Sequence, residues 1–152
     1  MRLTSQVLLF CASLFILGCA SSTGTSSLKS VHKVFVVDPV ASTLPETNAL
    51  SNVVHDTAVH ELNSLGYVTT TNPTEAEAMV RSTWHTRLDD SGHSIVSLSI
   101  SVFDKAGHKL FSGDSGSAVL SSFWNEAHAS SEVSNILVHL PHATVVEAPK
   151  AK

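Results

Sequence analysis

The sequence predicts an α+β fold: a single domain with a four- to five-stranded, largely antiparallel sheet and two or three helices packed on one face. Three observations predict it. Residues 94–103 alternate, with Val96, Leu98, Ile100 and Val102 pointing one way and Ser97, Ser99 and Ser101 the other, so the sheet has one buried face and one mostly wet face. Residues 34–71 read as apolar strand, amphipathic helix, β-branched strand. A second amphipathic stretch near residues 130–140 supplies another helix for the same face.

The elements follow in order. Val34-Phe35-Val36-Val37 is a run of four apolar, β-rich residues, the pattern of a strand covered on both faces, and Pro39 ends it. Thr43 and Glu46 are spaced as a capping box around Pro45, and Leu50, Val53, Val54, Ala58, Leu62 and Leu65 continue at helical spacing to Gly66, a residue suited to the left-handed end of a helix. Tyr67 to Thr71 is a short strand, and strand–helix–strand order makes these two strands candidates for parallel pairing. Thr74 to Glu77 matches a second capping box and predicts a short helix. Residues 79–88 predict a strand, 89–92 a turn, 94–103 a strand, and Asp104-Lys105-Ala106-Gly107 a hairpin turn. Residues 108–120 return as its partner, weakened by serines and glycines. Residues 121–130 form a loop, and a last helix begins at Ser130-Ser131-Glu132, with Val133, Ile136, Leu137 and Leu140 on one face, until Pro141.

The first residues are not part of this domain. Arg2 precedes an apolar run from Val7 to Leu17, too short to span a bilayer, and small residues follow, which is the pattern of an export signal. Its exit, Ile16-Leu17-Gly18-Cys19, resembles the lipobox of bacterial lipoproteins, in which the cysteine carries the lipid and the signal is cut just before it. The resemblance implies a signal peptide over 1–18, a lipidated Cys19 with a small, polar tether over 19–30, the α+β domain over 31–142 and a mobile tail over 143–152. Ala20 rather than aspartate after the cysteine implies, by the same resemblance, the outer membrane, lipid-anchored on its periplasmic face, with the inner membrane the lesser alternative.

Composition excludes several function classes. Removing residues 1–18 from the 152 leaves 134 and takes one arginine, so the formal charge of −4 becomes −5. A mildly acidic chain without a basic run is a poor nucleic-acid binder. It also has no polybasic run to hold it on a membrane, so the membrane partner is engaged through the N-terminal lipid. Cys11 leaves with the signal and Cys19 takes the lipid, so no thiol remains for a disulfide, a zinc–thiolate site or a nucleophile.

Three segments carry a further resemblance: Leu62-Asn63-Ser64-Leu65-Gly66-Tyr67 at a helix end, Val102-Phe103-Asp104-Lys105-Ala106-Gly107-His108-Lys109-Leu110 at a hairpin, and Ile136-Leu137-Val138-His139-Leu140-Pro141 at the last helix. Together they resemble small bacterial lipoproteins that carry an uncharacterised α+β envelope domain, over about residues 31–142. That family implies a fold and a place in the envelope, and no activity.

Candidate sites are few. Nine histidines (His32, His55, His60, His85, His93, His108, His128, His139 and His142) raise the question of metal, which requires two or three of them to converge. His55 and His60 diverge by about 140° on a helix, His139 and His142 share a face only if the helix runs through Pro141, and His85 and His93 are within reach only across a hairpin. Scattered surface histidines are the plainer reading. Gly113-Asp114-Ser115-Gly116 resembles the nucleophile motif of trypsin-like proteases, but a strand end in so short a chain excludes that family. Phe123 and Trp124 are either an exposed anchor for a partner or a pair folded back on the sheet. The sequence therefore leads to a non-enzymatic lipoprotein with a binding, assembly or structural role and an envelope-protein partner. It needs no cofactor. The alternative is a small-ligand or metal-binding lipoprotein using its histidines.

Overall fold

Val34 and Val36 point into a core of aliphatic side chains, and from that strand the sheet grows in both directions. The computed structural model describes residues 28–40 and 44–144. Strand β1 (Lys33–Val37) leads to helix α1 (Pro45–Ala49), helix α2 (Ser51–Ser64) and strand β2 (Val68–Thr70). Strand β3 (Ala78–Leu88), strand β4 (Ser94–Asp104), strand β5 (Lys109–Asp114) and the two-residue strand β6 (Val119–Leu120) follow, then a 3₁₀ turn (Ser121–Phe123) and helix α3 (Glu126–Leu137). The sheet runs β2-β1-β3-β4-β5, with β6 pairing the other end of β4. β1 is parallel to both β2 and β3, and the pairings of β4 with β3, β5 and β6 are antiparallel. This is a single α+β domain with its helices on one face of a mixed sheet.

The alternation in β4 sets the layers. Val96, Leu98, Ile100 and Val102 are buried, and their neighbours on β3 across the ladder are Thr86, Trp84, Ser82 and Val80. Val54, Ala58 and Leu62 of α2 and Ala129, Val133, Ile136 and Leu137 of α3 close the core from above. Hydrophobic burial of such residues contributes about 1.5–3 kcal/mol for each large side chain. Leu28 is 1 % exposed, so the packed unit takes in a residue of the predicted tether. At the other terminus the Ala143 amide donates to the Leu65 carbonyl at 2.9 Å and the Thr144 hydroxyl to the Lys29 carbonyl at 2.7 Å.

The helix ending at Gly66 forms as its sequence requires. The Gly66 amide donates to the Asn63 carbonyl and the Tyr67 amide to that of Leu62, both at 3.0 Å, with Gly66 at φ +89°. These paired bonds satisfy the last helical carbonyls and need a residue that tolerates the left-handed region. Tyr67 is then buried and its hydroxyl donates to the Pro141 carbonyl at 2.8 Å, fastening the chain after α3 to the end of α2.

Six expectations differ from the structure. β1 is covered on one face only, with Val34 and Val36 buried and Phe35 and Val37 half-buried, because both long helices lie on the same side. The first helix is two: the chain turns at the buried Leu50, which closes α1 and opens α2. Leu44, not Thr43, is the residue preceding α1, and Thr43 lies outside the described residues. Residues 74–77 form a turn rather than a helix. Glu77 Oε2 accepts the amides of His32 at 2.6 Å and Lys33 at 3.1 Å, and that cross-link to β1 replaces the bond it would make in a capping box. The returning strand after β4 is split, and α3 starts at Glu126, capped by the Asn125 side chain accepting the His128 amide at 3.0 Å.

Candidate functional site

The face of the sheet away from the helices is open, and β3 and β4 place side chains on it by alternation, as does β5 on either side of a register shift between Lys109 and Phe111. Arg81, Thr83 and His85 come from β3, Ser99, Ser101 and Phe103 from β4, and Lys109, Ser112 and Asp114 from β5. With Val37, Asp38 and Val40 at the end of β1 they line a shallow groove of about 510 Å³. Pairing of β3 with β4 sets Arg81 opposite Ser101 and Thr83 opposite Ser99, and pairing of β4 with β5 sets Ser101 opposite Ser112 and Ser99 opposite Asp114.

Phe103 is the aromatic centre of this face. The Arg81 guanidinium lies 5.6 Å from its ring centroid and the Lys109 ammonium 5.9 Å, within the range of a cation–π contact. The Ser101 and Ser112 hydroxyls are hydrogen-bonded at 3.0 Å, and His85 Nε2 is hydrogen-bonded to the Ser99 hydroxyl. The groove thus offers two cations, one aromatic edge, a row of hydroxyls and the carboxylates of Asp38 and Asp114. Such a set makes many hydrogen bonds to a polar partner. The sequence signal for it was present in the serines of β4, but which residues of β3 and β5 stand beside them follows only from register.

The other predicted site residues are dispersed. Cys19 lies outside the described residues. The two aromatics of the 121–130 segment part company. Trp124 is 6 % exposed, packs edge-to-face on Trp84 with centroids 4.8 Å apart, and donates its Nε1–H to the Val96 carbonyl at 3.3 Å. Phe123 is 62 % exposed. Ser115, from the protease-like tetrapeptide, is buried where β5 ends: its hydroxyl accepts the Leu98 amide at 3.0 Å and its amide donates to the Leu98 carbonyl at 2.7 Å. It fills a gap in the ladder between β5 and β6.

Three of the nine histidines lie beside carboxylates. His93 contacts Asp89 at 3.4 Å, His108 contacts Asp104 at 3.0 Å, and His55 lies 3.2 Å from Asp56 and 3.8 Å from Asp38. His85 stands opposite Ser97, about 10 Å along the strand from the turn that carries His93. Among the described residues no three of His, Cys, Asp and Glu gather as metal ligands.

The two hairpin turns have one design. Residues 89–93 and 104–108 both read Asp-x-x-Gly-His, and in each the aspartate Oδ1 accepts the histidine amide at 2.8 Å while the glycine sits at φ +82° or +85°. The amide of His93 holds the Asp89 carboxyl below its ordinary range, and that of His108 does the same for Asp104. The amides of His32 and Lys33 lower Glu77. A carboxyl depressed in the folded state stabilises above its unfolded pKa, and that stability is lost as pH falls through the folded value. Thermal unfolding is therefore expected to be level from neutral pH to about pH 5 and to fall below about pH 4. Glu77→Gln should flatten part of that acid limb and lower the neutral-pH plateau, measured as Tm against pH.

No protein-family model matches the chain, and no curated protein matches its sequence. Among solved structures, it is similar to the PelC dodecamer from Paraburkholderia phytofirmans, at 15 % identity and a TM-score of 0.48, covering 76 % of this chain and 90 % of that one. It is also similar to the lipoprotein GNA1162 from Neisseria meningitidis, at 18 % identity and a TM-score of 0.42, covering 70 % and 96 % of the two chains.

Proposed function

We propose that this chain is a lipid-anchored envelope lipoprotein of the outer membrane, facing the periplasm, that acts by binding a protein partner through the open face of its sheet. One observation carries the reading: one sheet face is sealed by α2 and α3, while the other holds a polar groove around Phe103, Arg81 and Lys109. A domain that needed only to fold has no use for two cations held against a half-buried aromatic ring on its open face. The anchor rests on Leu17-Gly18-Cys19 behind an apolar run, and the outer membrane on Ala20. No helix among the described residues is long and apolar enough to cross a membrane, so attachment in this reading is the lipid's task.

The role is binding rather than catalysis. His85 and Ser99 pair a base with a hydroxyl, but Ser99 sits in the middle of a strand laddered on both sides, opposite Thr83 and Asp114. Backbone amides tied up in ladders are not available to stabilise an oxyanion, and acyl transfer depends on such donors. The histidine-based metal reading is the less favoured one, since each of His55, His93 and His108 faces a carboxylate of its own turn or helix.

The test combines lipid and partner. In cells fed an alkyne palmitate, the wild type should take the label and sediment with membranes, and Cys19→Ala should do neither. A photocrosslinking residue at Thr83, on the open face, should give a discrete adduct, and one at Asn52, on the outer side of α2, should not. A wild type without lipid defeats the anchored reading. Lipid without an adduct at Thr83 defeats the assignment of the open face.

A further inference from the structure

Charge is sorted along the strand direction. All four lysines of the described residues lie at one end of the sheet. Lys33 opens β1, Lys109 opens β5, Lys105 is in the turn between β4 and β5, and Lys29 is tied to that end through its carbonyl and Thr144. Three carboxylates share that end and stay ionised, Glu75 beside Lys33 at 3.3 Å, Glu77 held by two backbone amides and Asp104 by the amide and ring of His108, so four lysines leave it about one net positive charge. The opposite end carries Asp89 and Asp90 in the β3–β4 turn, Glu46 on α1 and Glu126 opening α3, while Asp38 and Asp56 lie near the middle, where β1 ends opposite Arg81. Arg87 is the cation among them. The 11 residues of β3 separate the two ends by about 35 Å, several times the Debye length of about 8 Å at physiological salt. Each end therefore meets a charged surface separately.

The chain enters the domain at the lysine end. Leu28 is buried there, and nine residue steps join it to Cys19, a reach of at most about 30 Å. Resting on the lipid-anchored reading above, we propose that the lysine end docks on the anionic phospholipid headgroups of the leaflet that holds the protein's own lipid, with the acidic end directed away. Attraction at one end and repulsion at the other act in the same sense, and a short tether keeps the domain within range of both. The open face would then stand upright on the membrane, with its groove exposed sideways to a partner.

The orientation is measured on the full lipidated protein in vesicles. Because Cys11 leaves with the signal and Cys19 is acylated, an introduced cysteine is the one reactive thiol. Ala106→Cys marks the lysine end and Ser91→Cys the acidic end, both in exposed turns. Each is labelled with an environment-sensitive fluorophore and quenched by headgroup spin-labelled lipid. In vesicles of phosphatidylethanolamine and phosphatidylglycerol, quenching at position 106 should exceed that at 91 by about threefold or more. The excess should shrink in phosphatidylcholine vesicles, in about 1 M salt, where the Debye length falls to about 3 Å, and in Lys29→Gln/Lys105→Gln/Lys109→Gln. Equal quenching at the two positions overturns the proposal, as does an excess that neither salt nor neutral lipid changes, which would belong to the tether alone. Failure of the wild type to float with vesicles would defeat the anchored reading and this docking with it, a result distinct from floating without orientation.

Discussion

Trp124→Ala is expected to cost about 3–5 kcal/mol of stability, the usual range for removing a buried aromatic side chain. Three losses coincide at this position. The indole packs edge-to-face on Trp84 and lies 4.7 Å from the His128 ring, its Nε1–H satisfies the Val96 carbonyl, and its removal opens a hole between the sheet and the start of α3. Domains of this size are stable by about 5–15 kcal/mol, so the variant should unfold roughly 10 °C lower or more, measured by calorimetry or by far-ultraviolet circular dichroism. Trp84 is the instructive control. Its Nε1–H is the one buried side-chain polar atom among the described residues left without a hydrogen-bond partner. Trp84→Phe relieves that unsatisfied donor while giving up part of the ring contact, so it should cost far less than Trp124→Ala. Equal losses for the two would overturn this ranking.

Gly113→Val is expected to be the second severe change, although it adds only apolar atoms. Gly113 lies in β5, where α3 comes so near that a Cβ would sit 2.7 Å from Ile136 Cγ2 and 3.2 Å from Phe111 Cζ. Both neighbours are held in the core, so the strand or the helix must shift. Overpacking of this kind costs about 1–3 kcal/mol for small additions, with Gly113→Ala at the low end and Gly113→Val at the high end. A double-mutant cycle separates the clash from any loss of strand propensity. Ile136→Ala removes the opposing methyl group, so Gly113→Ala should cost less in that background by about 0.5–3 kcal/mol. Additive losses would show that the helix does not press on this position.

The split of the returning strand has the same cause. Residues 108–120 read as one strand weakened by glycine and serine, and the structure divides them into β5 and β6 with Ser115 bridging to Leu98 between them. Gly113 admits the helix, and Ser115 supplies from its side chain the acceptor that the Leu98 amide needs. The residues that looked like defects in a strand are those that let α3 approach.

Local patterns determined a good deal by themselves. The two-residue period of β4, the hairpin turns at Gly92 and Gly107 and the helix end at Gly66 were legible because each depends on neighbours within a few residues, and the parallel pairing of β1 with β2 because strand–helix–strand order favours it. The proposed export signal and Cys19 rest on a linear motif of the same local kind. Contacts distant in sequence were not legible. Glu77 had the spacing of a capping box, yet its carboxylate went to the amides of His32 and Lys33, 45 and 44 residues away. Trp124 and Phe123 are adjacent, and only the packing of α3 and Trp84 decided that one is core and the other exposed. The groove around Phe103 is likewise a product of register, since Arg81, Phe103 and Lys109 meet only when three strands align. What the sequence alone determined is the periodicity and the turns, because those are local chemistry. What the tertiary structure decided is which polar groups share a face and which end of the sheet carries the lysines, because these depend on the pairing of distant segments.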